Sequence, residues 1–529
     1  MIIRSRSDLG YRLTQSFSRN ECKFYRPEVV WTADKNNWPG DWEGRTILAL
    51  VSLAKATGKE PSYLEGILDL LPYKLNANGY MGEIYPNGAI SEQQLAGNSW
   101  MLRGLIEYTT WKKTNKLLPI IERMVKNLYL PVIAELDNYF VDEYEKDGTY
   151  SGTIIASRGK WLLSTDTGCA FISTDGISQA YELLGWEELK TYVLKMREKF
   201  ITADLYGGKF QTHASLSCSR GFLRMYNLTG ERKLLDTAIT TFNLYTSKGM
   251  TENYSNCNRF NVAVWTEPCC MVDSYMCCIE LYKITKEPKY LDLAQKIYFN
   301  SLSHSQLPNG GMGLETCVGH HNSPILGYNR NKQTNKIYEA YWCCTMRGGD
   351  GFAYVSQNQC LKSNENTYTY VNFFDNTLFD DEIIIDEKTQ YPACGKTIFS
   401  IFNPLEKTIT LQLFVPLYAK TVILNGEKIA VKDHFVTFAT AKQECEITLE
   451  FDVPLLKVDC SVLLGYHKFM HGNVLLGTTE NVDKVNNLTY VSEFEYVDSN
   501  GIKFDRVGNT IYKEMEEIDS ADLRVLFLS

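Results

Sequence analysis

The chain has 529 residues, 44% of them hydrophobic and 22% charged, and this balance excludes an intrinsically disordered or collagen-like protein. It carries 54 basic and 63 acidic residues, and the resulting charge of −9 argues against binding to nucleic acid or to an anionic membrane. No apolar run approaches the roughly 20 residues of a membrane-spanning helix, and the length predicts two or three domains.

The N-terminal sequence MIIRSRSDLGYRL has two arginines near its start, Arg4 and Arg6, but no apolar segment after them, so it predicts no secretory signal; a chain trimmed of its signal would begin in the same way. We therefore expect a cytoplasmic protein whose 15 cysteines are reduced thiols. Clustered thiols in such a protein point to a metal or to catalysis. Aromatic residues make up 12% of the chain, and their faces suit sugar binding as well as core packing.

Helices are predicted over roughly the first 350 residues. An amphipathic helix ends at Gly58, and similar breaks occur near Asn115, Gly185, Gly230 and Lys286. A second amphipathic stretch follows most of these breaks, so a helix–turn–helix unit recurs about every 45 to 70 residues. Units of this kind cannot bury an apolar face alone and must pack side by side, either as an open solenoid or as a closed α/α toroid.

After about residue 360 the hydrophobic period becomes two, which is typical of strands. Apolar and polar residues alternate over 409–415 and again over 445–453. Asn425-Gly426 lies between two apolar runs and predicts a hairpin turn. Short strands separated by such turns predict an antiparallel β-sandwich that follows the helical domain.

The segment WTEPCCMVDSYMCC contains the first cluster of cysteines. Pro268 suits the first position of a helix, which places Cys269 and Cys270 in the first turn. A helix N-terminus favours the thiolate form of cysteine. Glu267 and Cys269 form a Glu-x-Cys pair at this point, whereas the cysteine pair two turns further along is expected in the core.

A second cluster, in YWCCTMRGGDG, places Cys343 and Cys344 before a glycine-rich stretch that allows an irregular backbone. Together with Glu267 and Cys269 these residues would supply three sulfurs and one carboxylate, a set that suits zinc. Cys317, with the histidine pair that follows it, offers a second candidate cluster, although an exposed loop is the simpler interpretation of that pair.

Several carboxylates lie in segments that a toroid would place at one of its ends. Glu252 lies in a polar, turn-like segment, and Asp41 and Glu43 lie just before the first clear helix. Two carboxylates can hydrolyse a glycosidic bond, but acidic residues are also favoured at a helix start for electrostatic reasons alone. His213 lies in a hairpin loop or at a helix start, where a lone histidine is more often structural.

Seven segments, taken in order, resemble glycoside hydrolase family 127 and its relatives, the β-L-arabinofuranosidase-like proteins. The segments are GDWEGRTILALVSLAKATG, QLAGNSWMLRGLIEY, THASLSCSRG, GMTENYSN, WTEPCC, PNGG and WCC. The resemblance covers roughly residues 40–480 and implies an (α/α)6 barrel followed by an antiparallel β-sandwich. We place the barrel, as the catalytic domain, at 1–358 and the sandwich, with a C-terminal tail, at 359–529.

The resemblance also implies a retaining exo-glycosidase with a zinc-bound cysteine nucleophile and a glutamate acid/base. The implied zinc ligands are Glu267, Cys269, Cys343 and Cys344. Cys343 matches the nucleophile, Glu252 matches the acid/base by its position upstream of the Glu-x-Cys pair, and His213 matches a histidine that contacts the sugar. A thiolate is the reactive form of cysteine, and coordination to a metal supplies it at neutral pH.

Two departures from the family pattern affect the substrate more than the chemistry. Gly97-Asn98 stands where close members have a Gly-His pair, and a further histidine is missing around Asp166 and Cys169. The expected substrate-binding residues are His213, Asn98, Asp41, Glu43, Asp166 and Glu315. We expect a β-L-arabinofuranosidase or a related furanosidase that acts on plant-type glycans.

Two other functions remain open at this stage. A polysaccharide lyase can share the architecture, would use a tyrosine or histidine base and would release an unsaturated product. A non-catalytic carbohydrate-binding protein on a hydrolase fold would bind sugar without turnover. In each case we expect a carbohydrate partner, no nucleic acid, no membrane, and a monomer or a homodimer.

Overall fold

The computed structural model describes residues 1–32, 37–141, 152–492 and 494–529. Left-handed residues end five of its longer α-helices at or close to the breaks predicted from the sequence. The α-helices, in chain order, are α1 (Ser7–Asn20), α2 (Pro27–Val30), α3 (Asp41–Thr57), α4 (Leu64–Leu70), α5 (Glu92–Lys112), α6 (Leu118–Met124), α7 (Ser173–Leu184), α8 (Glu187–Phe200), α9 (Thr212–Thr229), α10 (Arg232–Lys248), α11 (Pro268–Thr285), α12 (Lys289–Ile297), α13 (Ser303–Ser305), α14 (Cys344–Gln357) and α15 (Met515–Ser520).

Six of these helices form a closed inner ring, in which α3, α5, α7, α9, α11 and α14 each pack on the next and α14 returns to α3. Outside the ring, α4, α6, α8, α10 and α12 each pack on the inner helix that precedes them, and α1 packs on α14 and α3. This arrangement is an (α/α)6 barrel, so the closed toroid is confirmed and the open solenoid is not. None of the described helices combines the length and the apolar character needed to cross a membrane.

The inner helices α3, α5 and α11 are buried nearly all round, which explains why their amphipathic patterns are weak. Close helix contacts in the ring depend on small residues. A Cβ on Gly44 of α3 would lie 2.1 Å from the backbone nitrogen of Met101 in α5, so only glycine fits there.

The strands, in chain order, are β1 (Ile2–Ser5), β2 (Ile90–Ser91), β3 (Ile154–Arg158), β4 (Trp161–Ser164), β5 (Ile325–Leu326), β6 (Cys360–Asn364), β7 (Thr367–Tyr370), β8 (Asn376–Asp380), β9 (Ile383–Thr389), β10 (Gly395–Phe402), β11 (Ile409–Phe414), β12 (Val422–Leu424), β13 (Glu427–Lys428), β14 (Phe435–Thr440), β15 (Glu444–Phe451), β16 (Leu455–Asp459), β17 (Tyr466–His471), β18 (Val474–Gly477), β19 (Leu488–Ser492), β20 (Glu495–Asp498), β21 (Lys503–Arg506), β22 (Leu523–Arg524) and β23 (Phe527–Leu528).

Two sheets form the predicted sandwich. One has the order β1-β8-β9-β10-β15-β12-β13 and the other β14-β11-β7-β6, and they are antiparallel except where β11 pairs with β7. Their facing side chains meet in the core, as where the ring of Tyr370 lies 4.8 Å from that of Phe399. Asn425 and Gly426 both have positive φ and turn β12 into β13, as predicted for an Asn-Gly pair.

Two features of the β region were not predicted. The N-terminal strand β1 pairs with β8, so the start of the chain completes a sheet of the sandwich. A third sheet, ordered β16-β17-β18-β21-β20-β19 with β23 beside β17, follows the sandwich and contacts the barrel. The change from helix to strand lies between Gln357 and Cys360, while the division into domains at 358/359 stays a prediction.

Candidate active site

A cavity of about 750 Å³ opens at the end of the barrel where inner helices begin. Asp41 is the first residue of α3 and Cys344 the first of α14. In the same way α9 begins at Thr212 and α11 at Pro268. Helix N-termini carry partial positive charge and unsatisfied N–H groups, so this end of the barrel favours anionic side chains and ligands. The volume lies within the range of small-molecule sites.

Three cysteine sulfurs meet at the base of this cavity. The Sγ atom of Cys344 lies 3.3 Å from that of Cys343 and 3.5 Å from that of Cys269. Cys269 is in the first turn of α11 and Cys343 caps α14, so both clusters singled out in the sequence begin helices that converge here. Cys269 and Cys344 are buried, whereas Cys343 keeps partial exposure toward the cavity, which it lines.

A second group of side chains meets the first at Cys269. His213, Glu267 and Cys269 have ligand atoms within 4.8 Å of one another, as do Cys269, Cys343 and Cys344. Thiolate, imidazole and carboxylate are the ligands that zinc prefers, and a structural or catalytic zinc takes three or four of them. The donor set therefore fits zinc, although Glu267 does not belong to the compact group of three sulfurs.

Arg45, one turn into α3, supplies a fixed cation beside the sulfurs. Its Nε donates to Asp41 at 2.8 Å, its Nη1 lies 3.4 Å from the sulfur of Cys269, and its guanidinium stacks on Trp100 at 4.0 Å. Burial raises the pKa of the Cys269 thiol, but the neighbouring thiols and Arg45 lower it by more, and the net shift is well downward. Contact with Cys269 in turn raises the pKa of Cys343.

His213 is held by a buried network behind the cavity. Its Nδ1–H donates to Oδ2 of Asp273 at 2.6 Å, and Asp273 also accepts from Ser217, Arg220 and Arg347. Burial lowers the pKa of His213, but the Asp273 carboxylate raises it by more. The aspartate therefore fixes both the ring orientation and the tautomer of His213.

Two of the predicted substrate-binding carboxylates line the cavity. Asp41 is there with its partner Arg45, and burial raises its pKa more than Arg45 lowers it. Asp166 accepts from the Gly152 amide at 2.9 Å and from Arg259 at 3.3 Å. Glu267 is the third cavity carboxyl, and burial raises its pKa to about 8.

Glu252, the predicted acid/base, is not among the residues that line the cavity. Its carboxylate is buried against the third sheet, where Oε2 lies 2.7 Å from Nζ of Lys468 and Oε1 accepts from the Ser461 hydroxyl at 3.2 Å. This carboxylate is thus held in a buried ion pair with Lys468 and is not part of the cavity lining. The acid/base role given to Glu252 from its position in the sequence therefore stays a prediction, and this placement does not favour it.

Three other predicted substrate-binding residues are buried but do not line the cavity. Asn98 bonds only to backbone groups, accepting from the Met81 amide and donating to carbonyls nearby. Glu315 accepts from His304 at 2.8 Å and from a neighbouring serine. Burial raises the pKa of Glu43 to about 8.

The candidate second cluster at Cys317 takes a different form from the one considered in the sequence. Cys317 and His320 lie in contact with Cys257, and the contact with Cys317 lowers the pKa of Cys257 to about 6. Among the described residues, both groups of three or more metal-binding side chains lie at the cavity, and neither contains these three. A second metal site at Cys317 is therefore not supported.

Sequence reasoning missed the residues that support the cluster and those that form the cavity wall. Arg45 and Asp273 are charged residues inside helices, of a kind usually exposed to solvent, and only the four-residue spacing of Asp41 and Arg45 hinted at an ion pair. Aromatic and amide side chains complete the wall. They are Asn37, Trp38, Gln211, Asn258, Trp265, Asn329, Tyr338 and Trp342.

Comparison with known proteins supports the fold. No protein-family profile and no curated protein matches the sequence. Among solved structures, one described as a family GH127 β-arabinofuranosidase superposes with a TM-score of 0.74 at 13% identity, covering 99% of this chain and 96% of its own. A family GH127 β-L-arabinofuranosidase from Geobacillus stearothermophilus T6 gives 0.66 at 11% identity, covering 97% and 94%.

A third structure, described as a glycoside hydrolase, gives a TM-score of 0.70 at 11% identity and covers 100% of this chain and 96% of its own. The chain therefore has the fold of these glycoside hydrolases, an (α/α)6 barrel followed by β-sheet domains, over nearly its whole length. The fold resemblance predicted from the sequence motifs is confirmed.

Proposed function

We propose that the protein is a retaining exo-glycoside hydrolase with a cysteine nucleophile held at a zinc centre. The observation that carries this proposal is the convergence of three cysteine sulfurs with Glu267 and His213 at the base of a cavity. Ordinary core packing explains buried thiols, because they behave as small hydrophobic groups. It does not explain a buried carboxyl and a buried imidazole beside them. The glycoside hydrolases with the same fold add the reaction class.

Glu267, Cys269, Cys343 and Cys344 would hold the zinc ion, which would keep the thiols deprotonated and the sulfurs in place. Cys343 is the favoured nucleophile because, of the three thiols, it alone keeps partial exposure to the cavity. Its sulfur attacks the anomeric carbon, and the glycosidic oxygen departs with the electron pair of the broken bond. Water, deprotonated by the acid/base, then attacks the anomeric carbon, and the sulfur leaves as a thiolate, so the anomeric configuration is retained overall.

The departing oxygen needs a proton, and the same group must then deprotonate the water. Since Glu252 lies outside the cavity and Glu267 would bind the metal, the remaining carboxyls of the cavity wall are Asp41 and Asp166. We therefore propose that one of these two aspartates is the acid/base. Both aspartates line the same cavity as Cys343.

The substrate that the cavity suits best is a terminal pentofuranoside. Four aromatic side chains offer faces for a sugar ring, and the amides beside them offer donors and acceptors for its hydroxyl groups. The two structures described as β-arabinofuranosidases favour a β-L-arabinofuranoside or a related sugar of a plant glycan as the first candidate.

The test begins with protein purified without chelator or added zinc. We expect about one zinc per chain by plasma mass spectrometry, and hydrolysis of an aryl L-arabinofuranoside with retention of configuration. Cys343→Ser should abolish turnover while the circular dichroism spectrum is kept. Cys394→Ser, at an exposed thiol, is the control and should retain full activity. Full activity in Cys343→Ser would contradict the nucleophile, and a folded, metal-free active enzyme would contradict the zinc centre.

A non-catalytic carbohydrate-binding protein is the second candidate, and the position of Glu252 favours it. If neither cavity aspartate donates a proton, sugar would bind without being turned over. Calorimetry with arabinofuranosides distinguishes the two functions, because binding without product after long incubation supports the second. A product absorbing in the ultraviolet would instead indicate a lyase.

A further inference from the structure

The two groups of metal-binding side chains at the cavity base overlap at Cys269. One group contains Cys269, Cys343 and Cys344, and the other contains Cys269, Glu267 and His213. His213 and Cys343 do not belong to the same group, although the ligand atom of each lies within 4.8 Å of the Cys269 sulfur. The described residues therefore form two alternative ligand sets around Cys269 rather than one cage of five. Zinc in proteins takes four ligands, so it does not need all five donors at once.

His213 is oriented in the way that metal-binding histidines are. Metal-ligating imidazoles donate their second ring N–H to a carboxylate, which fixes the tautomer and leaves a lone pair on the other nitrogen. The bond from Nδ1 of His213 to Asp273 has this form, and both side chains are buried. The free nitrogen, Nε2, lies within 3.5 Å of Nη2 of Arg45, and Nη1 of the same arginine contacts the sulfur of Cys269.

These contacts of Arg45 are too long to hold Nε2 in a strong hydrogen bond. The guanidinium is fixed mainly by Asp41, at 2.8 Å, and by the face of Trp100, at 4.0 Å. Nε2 of His213 and the sulfur of Cys269 therefore lie against the same guanidinium, and among the described contacts Nε2 has no shorter hydrogen bond.

The covalent step of the proposed mechanism changes what Cys343 offers a metal. Its sulfur gives an electron pair to the anomeric carbon, and the glycosidic oxygen leaves with the pair from the broken bond and takes a proton from a cavity carboxyl. The sulfur becomes a neutral thioether, whereas the thiolate is the form of cysteine that binds metals. One coordination position is then no longer filled by a charged sulfur.

We propose that His213 is a reserve metal ligand, which takes the coordination position that Cys343 gives up when its sulfur is alkylated. The inference rests on the proposed function. Cys269 belongs to both sets and Glu267 to the set that contains His213, so these two residues would remain ligands when Cys343 is alkylated. A histidine positioned in this way would hold the metal while Cys343 carries the sugar, and would give up the position when the thiolate is released.

A double-mutant cycle on metal affinity tests the proposal without measuring activity. Zinc dissociation constants are determined by competition with a chromogenic chelator for the wild type, His213→Ala, Cys343→Ser and the double variant. We expect His213→Ala to weaken zinc binding by less than about threefold when Cys343 is present. In the Cys343→Ser background, the same change should weaken it by at least about 30-fold, since a ligand is lost.

X-ray absorption at the zinc edge supplies a second measurement. Imidazole scattering should appear in Cys343→Ser and in wild-type protein alkylated at Cys343 with iodoacetamide, and it should disappear when His213→Ala is added. His304 is a matched control, because its Nδ1 is bonded to the buried carboxylate of Glu315 in the same manner, outside the cavity. His304→Ala should leave zinc affinity unchanged in both backgrounds.

Equal loss of affinity in both backgrounds would mean that His213 is a permanent ligand or a structural residue, and would overturn the proposal. The proposal would also be overturned if His213→Ala caused no loss of zinc affinity in either background. The same would follow if His304→Ala weakened zinc binding only in the Cys343→Ser background. If the wild type binds no zinc, the proposed function fails together with the inference. If the wild type binds one zinc and the cycle is additive, only the inference fails.

Discussion

Glu252 is expected to fasten the third sheet to the barrel and to take no part in turnover. Its carboxylate pairs with Lys468 at 2.7 Å and accepts from Ser461 and the Val462 amide, while Lys468 also donates to the Glu252 carbonyl and lies 4.5 Å from the centre of the Tyr254 ring. The Glu252 and Lys468 side chains are only 1% and 6% exposed. The folded protein should therefore lose stability when either partner of this ion pair is removed.

The size of the effect follows from what each change leaves behind. Lys468→Met leaves a buried carboxylate without its cation, which costs about 3–5 kcal/mol of unfolding free energy. Glu252→Gln keeps the shape and one acceptor oxygen but removes the charge, and we expect a cost of about 1–3 kcal/mol. The double variant removes both charges and should be more stable than Lys468→Met alone. Urea unfolding at neutral pH, followed by circular dichroism, measures all three variants.

The pH dependence has a definite sign. Burial raises the pKa of Glu252, but Lys468 lowers it by more, so the folded-state pKa lies below the unfolded one. The stabilisation is therefore present above the unfolded pKa, about 4.3 for a glutamate, and is lost as the pH falls through the folded value. The difference in stability between wild type and Glu252→Gln should shrink over that range.

Activity decides between this role and the one predicted from the sequence. Hydrolysis of an aryl arabinofuranoside by Glu252→Gln should keep a kcat/KM within about threefold of the wild-type value, because the carboxylate does not reach the cavity. A loss of about 100-fold or more with an unchanged free energy of unfolding would refute the reasoning. Such a result would restore Glu252 as the acid/base.

Three further outcomes are expected. One of the variants Asp41→Asn and Asp166→Asn should remove the acid/base. That variant should hydrolyse an alkyl furanoside at least about 100-fold more slowly than the wild type, but a dinitrophenyl furanoside with a far smaller loss, because a good leaving group needs little protonation. Equal losses on both substrates would exclude that residue as the acid/base. Cys269→Ser should lower zinc affinity more than Cys344→Ser in the chelator competition, because only Cys269 belongs to both ligand groups. Gly44→Ala should destabilise the barrel by about 1–3 kcal/mol in urea unfolding, since its Cβ would meet the backbone of α5, and an unchanged midpoint would contradict that contact.

The parts of the fold that depend on local chemistry could be predicted. Left-handed residues at Gly58, Gly185, Gly230 and Lys286 end helices as the sequence indicated, because a positive φ at the C-terminus is a local property. The pairing of β1 with β8 was not predictable in this way. It joins residues more than 370 positions apart, and no local pattern records such a partner.

The difference between local signals and long-range partners also applies to the candidate active site. The cysteines were found because they occur in two clusters, and a proline located the helix start of the first cluster. The irregular backbone expected from the glycines after Cys344 was wrong, because those glycines lie inside α14. Glu252 was assigned by its distance along the chain from the Glu-x-Cys pair. The intervening turns determine where its side chain points, and its actual partner, Lys468, is 216 residues away. A spacing along the chain cannot reveal such an ion pair.

Burial of an anionic ligand set at this end of the barrel requires compensation that the fold itself provides. In the proposed zinc centre, several thiolates and a carboxylate would remain net negative even with one divalent cation, and buried charge is costly unless it is balanced. The N-termini of the inner helices supply partial positive charge, and Arg45 adds a full cation beside Cys269. Behind them, Asp273 is balanced by Arg220 and Arg347, so it can orient His213 without adding to the negative charge of the proposed metal site. The position of the site at the helix starts is thus an electrostatic consequence of the barrel.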